Sequence, residues 1–172
     1  MSLLKSRDFL LTGTNTQFEW MLGKYEAALQ VKAEVKDSKP ENLLKIDKWF
    51  HTDLPRKLRS RGAEVHLTHE EIVSCMKWKM AMSNYQKRLK DLILMNTPRM
   101  VMSETKKAFR NLEKRNDLGA AVAALCNLKG VGPAFASCVL AAYRPDKAPF
   151  MSEEALLSLP DCHEVRHVSE VL

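Results

Sequence analysis

A glycine turn between two apolar helical segments constrains this chain more than any other feature. Residues 117–128 and 133–143 have apolar helical spacing, and residues 129–132 between them read Lys-Gly-Val-Gly. Two glycines this close let the backbone turn sharply, and Pro133 suits the first position of a helix. The amides of such a turn, with the positive end of the next helix dipole, favour an anion, most often a phosphate. The pattern predicts a phosphate-binding helical hairpin at 117–143.

The rest of the chain is also predicted to be helical. Apolar residues recur at helical spacing, and no alternating segment is long enough to indicate a strand. Thr68-His-Glu-Glu71 predicts a capping box, Thr97-Pro98 a second helix start and Ser152 a third. We therefore predict an all-α fold of about eight or nine helices. Residues 1–15 are expected to be loose, and residues 16–172 to form a single helical domain.

Composition excludes several classes of protein. Hydrophobic residues make up 45% of the chain, enough for a core, but no apolar run reaches the roughly 18 residues of a membrane span. Four cysteines are scattered without a Cys-x-x-Cys pair, which favours buried, reduced thiols over disulfides or a metal site. We expect an intracellular protein with no membrane contact and no bound metal.

Positive charge is concentrated in the middle of the chain. Residues 77–115 contain eleven basic and three acidic residues, a net charge of +8, whereas the whole chain carries +6. Such a local excess indicates a face that binds a polyanion, although an ordinary basic surface would also produce it. The cations predicted to supply this charge are Lys106, Lys107 and Arg110.

The glycine turn and its flanks resemble the helix-hairpin-helix DNA-binding motif. Residues 125–140 read Leu-Cys-Asn-Leu-Lys-Gly-Val-Gly-Pro-Ala-Phe-Ala-Ser-Cys-Val-Leu, with glycines, small residues and apolar positions where that motif has them. The resemblance implies contact with DNA phosphates without base reading, and allows a monovalent cation at the hairpin carbonyls. The alternative is a tight turn between two helices in which the glycines are needed only for backbone geometry and have no role in binding. The hairpin residues expected at DNA are Lys129, Gly130, Val131, Gly132 and Ala134.

The chain is also similar to the helix-hairpin-helix base-excision DNA glycosylases, which are all-α. Their catalytic aspartate follows the hairpin by about twenty residues; here that position is Ser152, and the carboxylates beside it, Glu153 and Glu154, are the catalytic candidates. Glycosylases that also cut the strand carry a lysine where this chain has Ala134, so lyase chemistry is not expected. Trp78, between two lysines, is a candidate for stacking on a base, with core packing as the alternative.

Residues 40–160 further resemble an uncharacterised eukaryotic family that has a Lys-Gly-Val-Gly-Pro-Ala hairpin. Together these patterns predict a DNA glycosylase-like fold and a DNA-binding protein without sequence specificity, linked to DNA repair. Two alternatives remain: a monofunctional DNA glycosylase, and a module that binds a protein partner. A DNA partner would give a nuclear or nucleocytoplasmic location.

Overall fold

The computed structural model describes Phe9 and residues 11–36, 40–83, 87–152 and 155–156. These residues are helical with connecting turns and contain no strand, so the all-α prediction is confirmed. The α-helices are α1 Asn15–Leu22, α2 Tyr25–Lys36, α3 Pro40–Lys48, α4 Leu54–Ser60, α5 His69–Met82, α6 Lys87–Leu94, α7 Pro98–Arg115, α8 Leu118–Cys126 and α9 Pro133–Tyr143. A π-helical turn, Trp49–Asp53, joins α3 to α4, and a 3₁₀ turn, Gly62–Glu64, follows α4. Every helix in the described ranges is too short or too polar to cross a lipid bilayer.

The chain divides into two units. One comprises residues 1–40 and 151–172 and contains α1 and α2; the other comprises residues 41–150. The predicted hairpin and the basic stretch both lie in the second unit. The prediction of a loose segment at 1–15 falls largely outside the described residues.

The helix starts in unit 41–150 follow the local signals in the sequence. The Thr68 hydroxyl accepts from the Glu71 amide while the Glu71 carboxylate accepts from the Thr68 amide, which completes the predicted capping box. The Thr97 hydroxyl caps α7 by accepting from the Met100 amide, and the Asp117 carboxylate caps α8 by accepting from the Ala120 amide. Each such cap typically stabilises its helix by about 1 kcal/mol. The Asp117 cap fixes where α8, the first helix of the predicted hairpin, begins.

The core of unit 41–150 forms around α9. This helix packs against α8, α5 and α4, while α7 packs against α8 and α5. Residues 135–140, from Phe135 to Leu140, are all buried, and Phe109 of α7 is fully buried beside this core. Because α9 is apolar on every side, it is held from several directions, and the turn that precedes it is anchored at that end.

Candidate nucleic-acid interface

The predicted hairpin is present as α8, a turn at residues 127–132, and α9. Gly130 has a φ of 77°, in the left-handed region that glycine adopts at little cost. The Val131 amide donates to the Leu128 carbonyl oxygen at 3.1 Å and closes the turn. Gly132, with extended backbone, is the N-cap of α9, and Pro133 occupies the first helical position as predicted.

A buried asparagine from outside the hairpin holds the turn in shape. The Lys129 amide donates to Asn96 Oδ1 at 2.8 Å, and Asn96 Nδ2 donates to the Lys129 carbonyl oxygen at 2.9 Å. The same Nδ2 donates to the Ile93 carbonyl oxygen at 3.0 Å, and Asn96 is only 4% exposed. Asn96 therefore ties the corner between α6 and α7 to the hairpin. It is a supporting residue that the sequence analysis missed.

The two glycines of the turn have different surroundings. A Cβ atom at Gly130 would lie 3.0 Å from Leu92 Cβ and 3.1 Å from both the Ile93 nitrogen and the Leu89 carbonyl oxygen. A Cβ atom at Gly132 would meet nothing within 4 Å. Gly130 thus permits close packing on α6, whereas Gly132 leaves open space in front of its backbone, where a ligand can approach.

Backbone donors remain available at the turn. Within the described part of the chain, the amides of Gly130, Gly132 and Ala134 make no hydrogen bond. The Val131 amide is already bonded, and its side chain is buried, so the prediction of Val131 as a phosphate contact is wrong in this conformation. The Lys129 amide is also occupied, but its side chain is exposed. The turn therefore has three amides that make no hydrogen bond among the described residues, and one exposed ammonium group.

The predicted cations on α7 separate into two kinds. Lys106 forms an ion pair with Glu64, and the hydrogen bond from Lys106 lowers the pKa of the Glu64 carboxyl. Lys107 and Arg110 are exposed and line an open groove between α7 and α8, which we call the basic groove. Of the three cations, Lys106 is therefore the least available to a ligand.

Trp78 is not a stacking platform for a base. Its side chain is 3% exposed and lies face to face with Phe50, with ring centroids 3.7 Å apart and planes 3° apart. Its indole Nε1 donates to Oδ1 of the buried Asp47 at 2.9 Å. The stacking prediction is therefore wrong: a neighbouring ring already covers the indole, and its polar atom is satisfied inside the protein.

The catalytic candidates Glu153 and Glu154 lie outside the described residues. Next to them, the Ser152 hydroxyl accepts from the Ala155 amide at 3.0 Å, which confirms the helix start predicted at Ser152. Phe150 packs against Trp78 with centroids 5.6 Å apart, and Tyr143 packs against Phe109 at 4.4 Å. Phe150 and Tyr143 therefore both pack against the hydrophobic core of unit 41–150.

The described cysteines behave as packing residues. Cys75 and Cys138 are buried free thiols, and burial raises the pKa of each of them. No group of three His, Cys, Asp or Glu side chains comes together as metal ligands do in the ranges that the structure describes. At the hairpin, the carbonyls of Leu128 and Lys129 already accept hydrogen bonds, and the monovalent cation stays a prediction.

Replacing Asn96 with alanine should lower the free energy of unfolding by about 2–4 kcal/mol, because it removes three hydrogen bonds, one of them buried and two partly buried. Urea denaturation followed by circular dichroism measures this change. Asn127→Ala is the matched control, since the side chain of exposed Asn127 donates to the Glu104 side chain and to no backbone group among the described residues, and the change should alter stability by less than about 1 kcal/mol. Equal effects of the two changes would show that Asn96 does not hold the turn.

No protein-family model, curated protein or solved structure matches this chain.

Proposed function

We propose that this protein binds DNA through its phosphate backbone without reading base sequence. The observation that carries the proposal is the turn itself: the amides of Gly130, Gly132 and Ala134 make no hydrogen bond within the described residues, and open space lies in front of Gly132. Amides without an internal partner at the start of a helix favour an oxyanion, because each can donate a charge-assisted hydrogen bond and the helix dipole adds to the attraction.

The charge of unit 41–150 supports the same partner. The exposed ammonium group of Lys129 lies in the turn, and exposed Lys107 and Arg110 project from α7. Positive side chains attract a polyanion at long range, and amides then fix the phosphate at short range. Backbone amides and phosphates carry no base-specific pattern, so this arrangement suits binding without sequence preference. The DNA glycosylase-like arrangement, the link to repair and the nuclear location belong to the same proposal.

Salt dependence and sequence independence are the expected results for the unmodified chain. If Lys129, Lys107, Arg110 and neighbouring Arg115 each meet a phosphate, the logarithm of the binding constant should fall with the logarithm of salt concentration with a slope of about −3 to −4. Fluorescence anisotropy with labelled duplexes of about 20 base pairs, titrated at several salt concentrations, measures this slope.

Three unrelated duplex sequences of equal length serve as the comparison. We expect their affinities to agree within about threefold, because a protein that reads bases loses more affinity than this for each mismatched base pair. Absence of binding at low salt would contradict the proposal and favour a protein partner. Strong preference for one duplex would contradict binding through phosphates alone.

A further inference from the structure

Helices α1 and α2 carry an exposed apolar surface. Trp20 of α1 is 60% exposed, and Val31 and Val35 of α2 are 60% and 84% exposed. Ala27 and Ala28, which lie between them in sequence, are exposed as well. Measured from Trp20, the other four residues follow after seven, eight, eleven and fifteen positions, so on one helix all five fall within about 100° of one another. We call these five residues the apolar stripe.

The backbone keeps the apolar stripe together across the junction of α1 and α2. Gly23 has right-handed helical φ and ψ of −63° and −14°, and its amide donates to the Glu19 carbonyl oxygen at 2.9 Å, as in an α-helix. The Lys24 carbonyl oxygen accepts from the Ala28 amide at 3.0 Å. The Lys24 ammonium group lies 5.0 Å from the centre of the Trp20 ring, so Lys24 is on the same side of the chain as Trp20.

The other side of α2 is already covered. Leu29 and Ala33 are buried, and at about 100° per residue they lie opposite Val31 and Val35. A helix that is apolar on two sides requires a packing partner on each of them. The apolar stripe therefore suits contact with another protein chain.

The distribution of charge favours a second copy of this chain as the partner. Unit 41–150 contains twenty basic and eleven acidic residues, so two copies repel each other there. Residues 15–35, which include the apolar stripe, contain two basic and three acidic residues. Two copies can meet at this segment without a large excess of like charge.

The apolar stripe is complementary to itself when two copies run antiparallel. With a two-fold axis between Ala27 and Ala28, each Trp20 comes opposite Val35 of the second copy. The alanines then face each other at the centre, where short side chains let the two helices approach closely. Large side chains at both ends and small ones in the middle thus match their own counterparts.

The charged residues beside the apolar stripe favour the same alignment. Lys24 extends toward Trp20, and in the antiparallel pair this direction leads to exposed Glu34 of the second copy. One oxygen of Glu34 accepts from Gln30 Nε2 at 3.1 Å, and the other can accept from the ammonium group. The symmetry produces this ion pair twice. A parallel pair would instead place Lys24 beside Lys24 and Glu34 beside Glu34.

We infer that α1 and α2 form an antiparallel two-fold contact with a second copy of this chain. The inference goes beyond the proposed function and does not depend on it, because it uses no residue of the hairpin or of the basic groove. A large apolar side chain buries on the order of 100 Å², so Trp20, Val31 and Val35 of both copies, with the alanines, remove about 800–1,000 Å² in total. That area is small for a stable complex, so we expect a reversible dimer with a dissociation constant of about 10–100 μM.

Sedimentation equilibrium of the full chain tests the contact. Between about 5 and 200 μM, the weight-average mass should rise from the 19.6 kDa of the monomer toward twice that value. The double variant Ala27→Lys, Ala28→Lys places four ammonium groups at the two-fold axis and should weaken dimerisation at least about 30-fold. Lysine is a good helix former, so circular dichroism should show an unchanged helical content.

The control adds the same net charge away from the apolar stripe. Glu19 and Glu26 are exposed, and at about 100° per residue they lie on other sides of the helices than Val31. Replacing both with glutamine should change the dissociation constant of the dimer by less than about threefold, because neither side chain lies in the contact.

Charge reversal tests the antiparallel alignment. Lys24→Glu sets a carboxylate against Glu34 of the second copy, and Glu34→Lys sets an ammonium group against Lys24, so each variant alone should dimerise about fivefold more weakly at low salt. An equimolar mixture of the two variants should recover the affinity of the unmodified chain, because opposite charges face each other again at both ends.

Four results would overturn the inference. The first is a chain that stays monomeric throughout the concentration range. The second is a double lysine variant that dimerises as the unmodified chain does. The third is an equal loss in the double glutamine control, which would indicate a general effect of charge. The fourth is a mixture of the two charge-reversed variants that associates no better than either variant by itself.

Discussion

Replacing Gly132 with valine should weaken DNA binding by about 10- to 100-fold while changing the free energy of unfolding by less than about 1 kcal/mol. A Cβ atom at this position meets nothing within 4 Å, and the backbone, with φ of −104° and ψ of 177°, suits a β-branched residue. The valine side chain would occupy the space through which a phosphate reaches the free amides. Losing one charge-assisted hydrogen bond costs about 1.5–3 kcal/mol, and each 1.4 kcal/mol is tenfold in affinity.

Anisotropy titration measures the loss, and urea denaturation measures the stability. Gly132→Ala provides a graded comparison with a smaller expected effect, because one methyl group blocks less of the approach. Gly130→Ala is the contrasting variant: a Cβ there would be 3.0 Å from Leu92 and strained by its positive φ, so it should lose stability, by about 1–3 kcal/mol. A Gly132→Val protein that binds DNA normally would exclude the turn from the interface.

Replacing Trp78 with alanine should lower the free energy of unfolding by about 3–5 kcal/mol, since it removes a buried ring and leaves a cavity beside Phe50. Trp78→Phe keeps a ring against Phe50 but removes one hydrogen bond from the buried Asp47. That change should cost about 1–3 kcal/mol. Chemical denaturation monitored by circular dichroism gives both values.

Single-strand binding by the folded variants separates packing from base stacking. Because Trp78 is covered inside the protein, Trp78→Phe should bind a labelled single strand as the unmodified chain does. A variant of normal stability with clearly weakened single-strand binding would indicate that the indole reaches a base after all, and would restore the original sequence-based interpretation.

Features that depend on neighbours in sequence were predictable, and features that depend on distant residues were not. The Thr68 capping box and the Pro133 helix start involve groups within three residues of one another, so the residue types alone indicate them. The bond between Asn96 and Lys129 spans 33 residues, and the pair of Lys106 with Glu64 spans 42. No local pattern signals either contact, so the sequence analysis missed Asn96 and treated Lys106 as free.

The glycines illustrate the same division at one site. The spacing of the two glycines indicated a turn, which is confirmed, but the sequence analysis expected both glycines to contact the ligand. What distinguishes them is α6: its backbone lies against Gly130 and is absent from the space in front of Gly132. Trp78 shows the converse error, because flanking lysines indicated exposure, whereas Phe50, the residue stacked on its ring, comes from the π-helical turn.

The bracing of the hairpin by Asn96 also bears on the thermodynamics of recognition. Because two hydrogen bonds fix the peptide groups before and after the Lys129 Cα atom, the turn acquires its final shape when the protein folds, before any ligand arrives. Little conformational entropy is then lost on association, so a small contact area can support measurable affinity. Asn96, the residue responsible for this pre-organisation, is buried, so a map of the residues that contact the ligand would not include it.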